Sequence, residues 1–155
     1  VQDPTENKQP FKLHELDLSN CDFSNLGAET LARLIESNDT IDTLHLSTNK
    51  NVASDGWVAI GKSLAKNNTI ETLILDHNSI GNEGVEYIAE GLQENSSVTT
   101  LDLSFAGIGE RGGESLMDML KKNTKIIDIN LTGNEMSQQL KNDIQKYLSL
   151  NRAIH

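Results

Sequence analysis

The sequence predicts an α/β fold: a right-handed solenoid, or horseshoe, of five βα repeats, with parallel strands on its concave side and helices on its convex side. Five segments that share one apolar pattern begin at intervals of 28 or 29 residues. Each segment alternates apolar and polar residues as a strand does, and apolar residues at helical spacing follow it. A single strand and helix cannot bury their shared apolar face, so neighbouring repeats must stack.

Each repeat opens with a segment that fits the pattern L-x-x-L-x-L-x-x-(N/C). The alternation has the two-residue period of a strand, so Leu44 and Leu46 are predicted to point inward while His45, between them, faces solvent. The longer interval has its extra residue in the turn after the strand, where an insertion costs little. The five segments read LHELDLSNC, IDTLHLSTN, IETLILDHN, VTTLDLSFA and IIDINLTGN.

Helices are predicted after these turns, because apolar residues recur there at intervals of three and four. The positions expected to be buried are Leu31, Leu34, Ile35, Ile60, Leu64, Val85, Ile88, Leu92, Leu116, Leu120, Ile144 and Leu148. An asparagine follows each helix in the same phase of the repeat, and we expect it to end the helix in the left-handed conformation that asparagine tolerates. These asparagines are Asn38, Asn67, Asn95, Asn123 and Asn151.

The repeat boundaries divide the chain into an N-terminal extension, one repeat domain and a short tail. We assign the extension to residues 1–12, the domain to 13–151 and the tail to 152–155, with repeats at 13–40, 41–69, 70–97, 98–125 and 126–151. The ends of a solenoid need caps, and the residues before Phe11 hold too little apolar material to form one. We therefore expect a longer parent protein or another cover over the first repeat, and a fifth repeat capped by Tyr147 and Leu150.

Composition and charge exclude several classes of function. The formal net charge is −10, which disfavours nucleic acid and favours a basic protein partner. No apolar run reaches the roughly 18 residues that a membrane span needs, so no membrane association is expected. One cysteine cannot form an internal disulfide, which favours a reducing compartment, and we predict a cytoplasmic monomer.

The repeat length and one turn resemble a known family. The turn at residues 78–84 reads NSIGNEG, and with repeats of 28 or 29 residues it resembles the ribonuclease-inhibitor-like leucine-rich repeats, over residues 13–151. That subclass also occurs in NOD-like receptors, Ran GTPase-activating protein and tropomodulin. The resemblance implies that position nine of the strand pattern bonds backbone groups of adjacent repeats. The residues expected in this structural ladder are Cys21, Asn49, Asn78 and Asn134, and Ala106 is expected to interrupt it.

The strand period also predicts which side chains face a partner. Positions three, five and seven of the pattern point to solvent on the concave side, and they include five acidic residues and no lysine or arginine. This set is consistent either with a solvated face of an acidic protein or with a groove that attracts a basic peptide or protein. In the second interpretation the partner-binding residues are Glu15, Asp17, His45, Ile74, Asp76, His77, Asp102, Phe105 and Asp128.

Three functions fit this fold. The first is a noncatalytic protein-interaction scaffold, which needs only a rigid curved surface. The second is a regulator of a small GTPase, resembling Ran GTPase-activating protein, for which Arg111 is the candidate catalytic arginine. The third is a tropomodulin-like actin-binding domain, although the C-terminal residues 150–155 lack that family's basic tail.

Other catalytic or metal chemistry has little support in the sequence. The G-x-G-x-x-G match at residues 107–112 lies in a strand-to-helix turn of a repeat and not in a dinucleotide-binding unit. His45 and His77 with nearby aspartates are of a type that binds zinc, but they belong to different repeats. Trp57 is interpreted as packing and Cys21 as structural. We predict no enzyme, cofactor or metal.

Overall fold

Residues 12–155, which the computed structural model describes, form five strands and five helices that alternate along the chain. The strands are β1 (Glu15–Asp17), β2 (Thr43–His45), β3 (Thr72–Ile74), β4 (Thr100–Asp102) and β5 (Asp128–Asn130). They form one parallel sheet in the order of the chain. The predicted five-repeat solenoid is confirmed, whereas all but the last residue of the predicted extension lie outside the described residues.

The helices follow the strands and pack against one another in sequence order. They are α1 (Asn25–Ser37), α2 (Ser54–Leu64), α3 (Gly81–Gln93), α4 (Glu110–Leu120) and α5 (Gln138–Ile154). Each helix contacts its neighbour along the chain, as expected when every repeat buries its apolar face against the next. In the described residues, no helix is both long and apolar enough to cross a membrane.

The core is a single apolar layer between the sheet and the helices. The strand leucines align across the sheet, with Leu44 beside Leu73 and Leu73 beside Leu101. Leu44 and Leu46 are fully buried, as the strand period predicted, and so is Trp57, whose indole N–H donates to the carbonyl of Val52 at 3.2 Å. Trp57 is therefore part of the core and does not form an exposed ligand platform.

Leu34 is the exception among the predicted helix core positions. It is 43% exposed, whereas the other eleven positions are buried. It belongs to α1, the first helix of the stack, where no described repeat packs against the outer side. Leu13 and Leu26 of the same repeat are also exposed. Residues on the outer side of the first repeat are therefore left exposed, whereas Leu31 and Ile35 of the same helix are buried.

The asparagines beyond the helices do not adopt the expected left-handed conformation. Asn38 has extended backbone angles, φ −71° and ψ 134°, and none of the five has a positive φ. Asn67, Asn95, Asn123 and Asn151 are at most 4% exposed. That part of the prediction is wrong, and the reason is that these side chains bind neighbouring repeats, as described below.

The last helix continues beyond the predicted end of the repeat domain. Asn151 lies inside α5, and Arg152 extends the helix while donating to the carbonyl of Ile127 at 2.6 Å. Residues 152–154 are thus helical and not a separate tail. Of the two predicted cap residues, Tyr147 is half-buried but Leu150 is 60% exposed, so Leu150 does not cover the core.

Candidate functional site

The side chains between the buried strand residues line one surface, which we call the concave face. The register places His45 of β2 beside Ile74 of β3, and Ile74 beside Asp102 of β4. Glu15, Asp17 and Asp128 are exposed, whereas His45, Ile74 and Asp102 are half-buried. The concave face is formed by Glu15, Thr43, Thr72, Thr100, Asp128, Asp17, His45, Ile74, Asp102, Asn130, Ser19, Ser47, Asp76, Ser104 and Thr132.

The concave face carries acidic groups on four of its five repeats and contains no lysine or arginine. In the first two repeats, Glu15 and His45 meet across the strands with Oε1 and Nε2 2.7 Å apart. Neighbouring carboxylates on one shallow surface sum to a negative potential that attracts cations at longer range than any single pair. The face can therefore concentrate positively charged side chains.

Asp76 is held by side chains on both of its carboxylate oxygens. Its Oδ1 accepts a hydrogen bond from the hydroxyl of Ser47 at 2.5 Å, and its Oδ2 lies 2.7 Å from Nδ1 of His77. Burial opposes ionisation of this carboxyl group, but the hydrogen bonds from Ser47 and His77 outweigh burial and hold the pKa of Asp76 below its usual 3.8. Asp76 is thus fixed in place as a carboxylate.

Asp17 and Asp102 are held by the turn that follows their strands. The backbone N–H of Ser19 donates to Asp17 at 2.9 Å, and this bond, followed by that of the Ser19 hydroxyl, lowers the pKa of Asp17 below 3.8. Asp102 accepts hydrogen bonds from both the N–H and the hydroxyl of Ser104, at 2.9 and 2.7 Å. The sequence analysis missed these turns, although an Asp followed two residues later by Ser is a known signal for them.

The concave face ends at a row of residues with left-handed backbone, which we call the rim: Asn20, Thr48, His77, Phe105 and Gly133, with φ between 51° and 76°. On this rim the rings of His77 and Phe105 stack, with centroids 4.8 Å apart and planes inclined by 19°. Beside the stack lies a groove of about 450 Å³, with Lys50, Gly81 and Gly107 among its lining residues. His77 and Phe105, both predicted as partner-binding residues, are therefore in contact and exposed.

The position-nine residues form a hydrogen-bonded ladder under the rim. The amide of Asn49 donates to the carbonyls of Leu18 and Leu46 at 3.0 and 3.1 Å, so it joins two repeats. Asn78 and Asn134 make equivalent bonds to their own and the preceding repeat. Ala106 has no side-chain amide and therefore interrupts the ladder. The thiol of Cys21 contacts the carbonyl oxygen of Ser19, in its own repeat, at 3.6 Å.

A second ladder, which sequence reasoning missed, runs along the opposite end of the repeats. The amide of Asn95 donates to the carbonyls of Leu64 and Asn67 at 2.9 Å, and its oxygen accepts from the N–H groups of Ser97 and Val98. Asn67 and Asn123 bridge adjacent repeats in the same way. The signal was available, because asparagine recurs in every repeat at one phase. These side chains therefore join successive repeats at the end away from the rim.

The described residues contain no cluster of three or more metal-ligating side chains. His45 pairs with Glu15, and His77 with Asp76, so the two histidines point to separate carboxylates. Arg111, the candidate arginine for a GTPase regulator, is exposed in the first turn of α4 and lies outside the concave face. The arrangement of the described side chains suits binding by charge and shape.

Replacement of Asp76 by asparagine is expected to destabilise the fold at pH 7 and to matter less in acid. Because the pKa of Asp76 is lowered by folding, its carboxylate stabilises the fold above the unfolded value near 3.8, and that contribution disappears as the pH falls through the folded value. Urea unfolding of both proteins between pH 7 and pH 3 measures the effect. A free-energy difference that stays constant over this range would contradict the expectation.

Comparisons with known proteins agree with this architecture. A model of the leucine-rich repeat family matches residues 9–32, 66–89 and 94–117. Leucine-rich repeat-containing protein 45 of Gallus gallus is 39% identical over 67 residues, which are 43% of this chain and 10% of that protein. The chain therefore spans about a tenth of the length of this curated relative.

Two solved structures share the fold over most of the chain. The structure of actin-binding site 2 of leiomodin-1 has a TM-score of 0.80 and 24% identity, covering 90% of this chain and 81% of that one. The tropomodulin C-terminal domain of Caenorhabditis elegans has a TM-score of 0.77 and 13% identity, covering 92% and 86%. At this level of identity the likeness establishes a shared fold, on which partners differ.

Proposed function

Because this chain is a leucine-rich-repeat solenoid of the ribonuclease-inhibitor-like type, we propose that it is a noncatalytic scaffold that binds a basic protein segment on its concave face. The observation that carries the proposal is the charge of that face. Glu15, Asp17, Asp76, Asp102 and Asp128 lie on it, and no lysine or arginine does. The scaffold acts as a cytoplasmic monomer in this proposal.

The five carboxylates are spread along the sheet and do not form one compact cluster. They come from β1, β4 and β5 and from the segment after β3, and successive strands in a sheet are about 4.8 Å apart. A ligand that contacts them all must span roughly 20 Å, which an extended peptide of about six residues does. The spacing thus favours an extended basic segment over a single small cation.

The test is a triple variant that removes three negative charges from the concave face, with circular dichroism at pH 7 to check that the variant is folded. Asp17→Asn, Asp76→Asn and Asp102→Asn together are expected to weaken binding of a lysine- and arginine-rich peptide about tenfold at low salt, since exposed ion pairs contribute roughly 0.2–1 kcal/mol each. Asparagine can keep the turn, because Asn130 already accepts the Thr132 N–H as Asp102 accepts that of Ser104. Fluorescence polarisation at two salt concentrations measures the affinity.

A matched control removes the same charge from the helices. Glu29, Glu86 and Glu114 are exposed on α1, α3 and α4, and their replacement by glutamine lowers the net negative charge equally. The control is expected to bind nearly as well as the wild type. If both triple variants weaken binding to the same extent, net charge alone attracts the peptide and the concave face is not the site.

Actin is a second candidate partner, favoured by the likeness to the actin-binding site of leiomodin-1 over 90% of this chain. In this alternative the curved array contacts a folded actin subunit, and the extended basic segment has no part. Pointed-end elongation of actin filaments in the presence of the chain tests it. An unchanged elongation rate, together with no co-sedimentation with filaments, would exclude this partner.

A further inference from the structure

The outer edge of β5 carries backbone groups without partners. In each of the first four repeats, the leucine directly after the strand donates its N–H to a carbonyl of the next repeat at 2.8 or 2.9 Å; these leucines are Leu18, Leu46, Leu75 and Leu103. Leu131 is the equivalent residue of the fifth repeat. Among residues 12–155, neither its N–H nor that of Gly133 has an acceptor. The edge of β5 can therefore pair with another strand.

Helix α5 covers only part of this edge. Arg152 donates to the carbonyl of Ile127 at 2.6 Å, whereas the equivalent carbonyl of Thr99 accepts two N–H groups from the next repeat. Beside residues 128–132 the edge is open, and a groove of about 470 Å³ lies between β5 and α5. The helix side of the groove is lined by Gln138, Lys141, Asn142 and Gln145.

Lys141 stands where the other helices contact the next repeat. The equivalent residues are all buried, and they are Ala28, Trp57, Val85 and Gly113. Cβ of Trp57, for example, lies 3.2 Å from the position that a β-carbon would take at Gly84 of the next repeat. Lys141 is half-buried, and its Nζ has no ion pair or hydrogen bond in the part of the chain that the structure describes. Because another leucine-rich coil would bury this amine against apolar side chains, the groove suits a strand that brings a carboxylate.

We propose that the open edge of β5 binds an extended protein segment as a sixth parallel strand, with acidic side chains directed at Lys141. The main chain of this segment accepts hydrogen bonds from the N–H groups of Leu131 and Gly133. Successive side chains of a strand point to opposite faces, so the residues between the acidic ones lie beside Asp128, which is exposed on the concave face and attracts a basic side chain. The partner is thus a segment that alternates acidic and basic residues, and its site does not depend on the proposed function.

The first test titrates the full chain with the peptide Gly-Thr-Glu-Lys-Glu-Thr-amide, labelled with fluorescein at its amino terminus. Binding is expected to shift the amide resonances of Leu131 and Gly133 in NMR spectra. In fluorescence polarisation, Lys141→Gln is expected to weaken binding about threefold and Lys141→Glu about tenfold, since exposed ion pairs are individually weak. Lys146→Glu is the matched control, because Lys146 is exposed on the same helix outside the groove, and it is expected to bind nearly as the wild type does.

A pair of methylated peptides tests the main-chain pairing. The carbonyl of His45 accepts from Leu18 of the preceding repeat, so the backbone groups of concave-facing residues point back to the preceding strand. N-methylation of the peptide's lysine, which takes the concave-facing position, is expected to weaken binding about fivefold, the net contribution of one hydrogen bond. N-methylation of its first glutamate, whose N–H points away from β5, is expected to have little effect.

The outcomes separate this inference from the proposed function. The absence of binding, equal losses for Lys141→Glu and Lys146→Glu, or a loss on lysine methylation no greater than on glutamate methylation would each overturn the inference. A dimer in sedimentation equilibrium that Lys141→Glu dissociates would make a second copy the occupant and would also overturn it. The triple variant of Asp17, Asp76 and Asp102 is expected to bind this peptide as the wild type does; if it does not, the peptide lies on the concave face and the inference is wrong. Circular dichroism checks the fold of each variant.

Discussion

Asn67→Ala is expected to lower the free energy of unfolding by about 3 kcal/mol, because it leaves several buried backbone groups without partners. The amide of Asn67 donates to the carbonyl of Ile35 in the preceding repeat at 2.9 Å. Its oxygen accepts from the N–H groups of Thr69 and Ile70 at 3.0 and 2.9 Å. Asn67 is 3% exposed, so water cannot readily replace the lost bonds.

The adjacent residue provides a control of the same type. Asn68 is exposed, and Asn68→Ala is expected to change the free energy of unfolding by less than about 0.5 kcal/mol. Urea unfolding of the two variants and the wild type measures the difference. Similar stabilities for the two variants would mean that the ladder is not a main source of cohesion between repeats.

This asparagine ladder also shows where prediction from sequence succeeds and where it stops. The recurrence of asparagine at one phase of the repeat was visible, but local conformational preference suggested a helix end. In the structure the deciding factor is the preceding repeat, whose carbonyls need donors: the amide nitrogen of Asn95 donates to that repeat, while its oxygen accepts from N–H groups of its own. A local propensity was overridden by a requirement that exists only between repeats.

The strands and the concave face could be predicted because their geometry follows from a period. The two-residue alternation of a strand buries Leu73 and Leu101, whereas the side chains of Ile74 and Asp102 lie on the opposite face of the sheet and are half-buried. Leu34 departs from the prediction because its burial depends on a preceding repeat, and no periodic rule contains that information. The pattern of one repeat is thus predictable, and the ends of the stack are less so.

The contacts within the candidate site could not be predicted from the same rules. The link from Ser47 to Asp76 and the stack of His77 on Phe105 join residues about 28 positions apart, and they depend on how far each coil is shifted against the next. Sequence reasoning placed these residues on one surface, but it could not identify which of them are partners. The requirement for glycine at position 133 could not be predicted either, because it comes from the ring of Phe105, which lies against Gly133.

Gly91→Ala is expected to destabilise the fold by about 3 kcal/mol, although alanine is the better helix former by about 1 kcal/mol. A β-carbon at Gly91 would overlap the carbonyl oxygen of Gly61 in α2, and one at Gly61 would lie 2.5 Å from the carbonyl oxygen of Tyr87 in α3. Both obstacles are backbone atoms, which cannot move aside as a flexible side chain does. The two helices must therefore separate to accept a methyl group.

Glu90→Ala is the control, because Glu90 is exposed on the same helix and gains in helix propensity without a steric cost. Trp57 is the protein's one tryptophan and is buried in α2, so its fluorescence reports separation of α2 from α3 during unfolding. A red-shifted emission in folded Gly91→Ala, together with lower stability, is the expected result. If Gly91→Ala instead stabilised the fold, helix propensity would outweigh packing, and the contact between the two backbones would have to be looser than described. The curvature of the concave face, which depends on how closely successive helices approach, would then rest on the asparagine ladders alone.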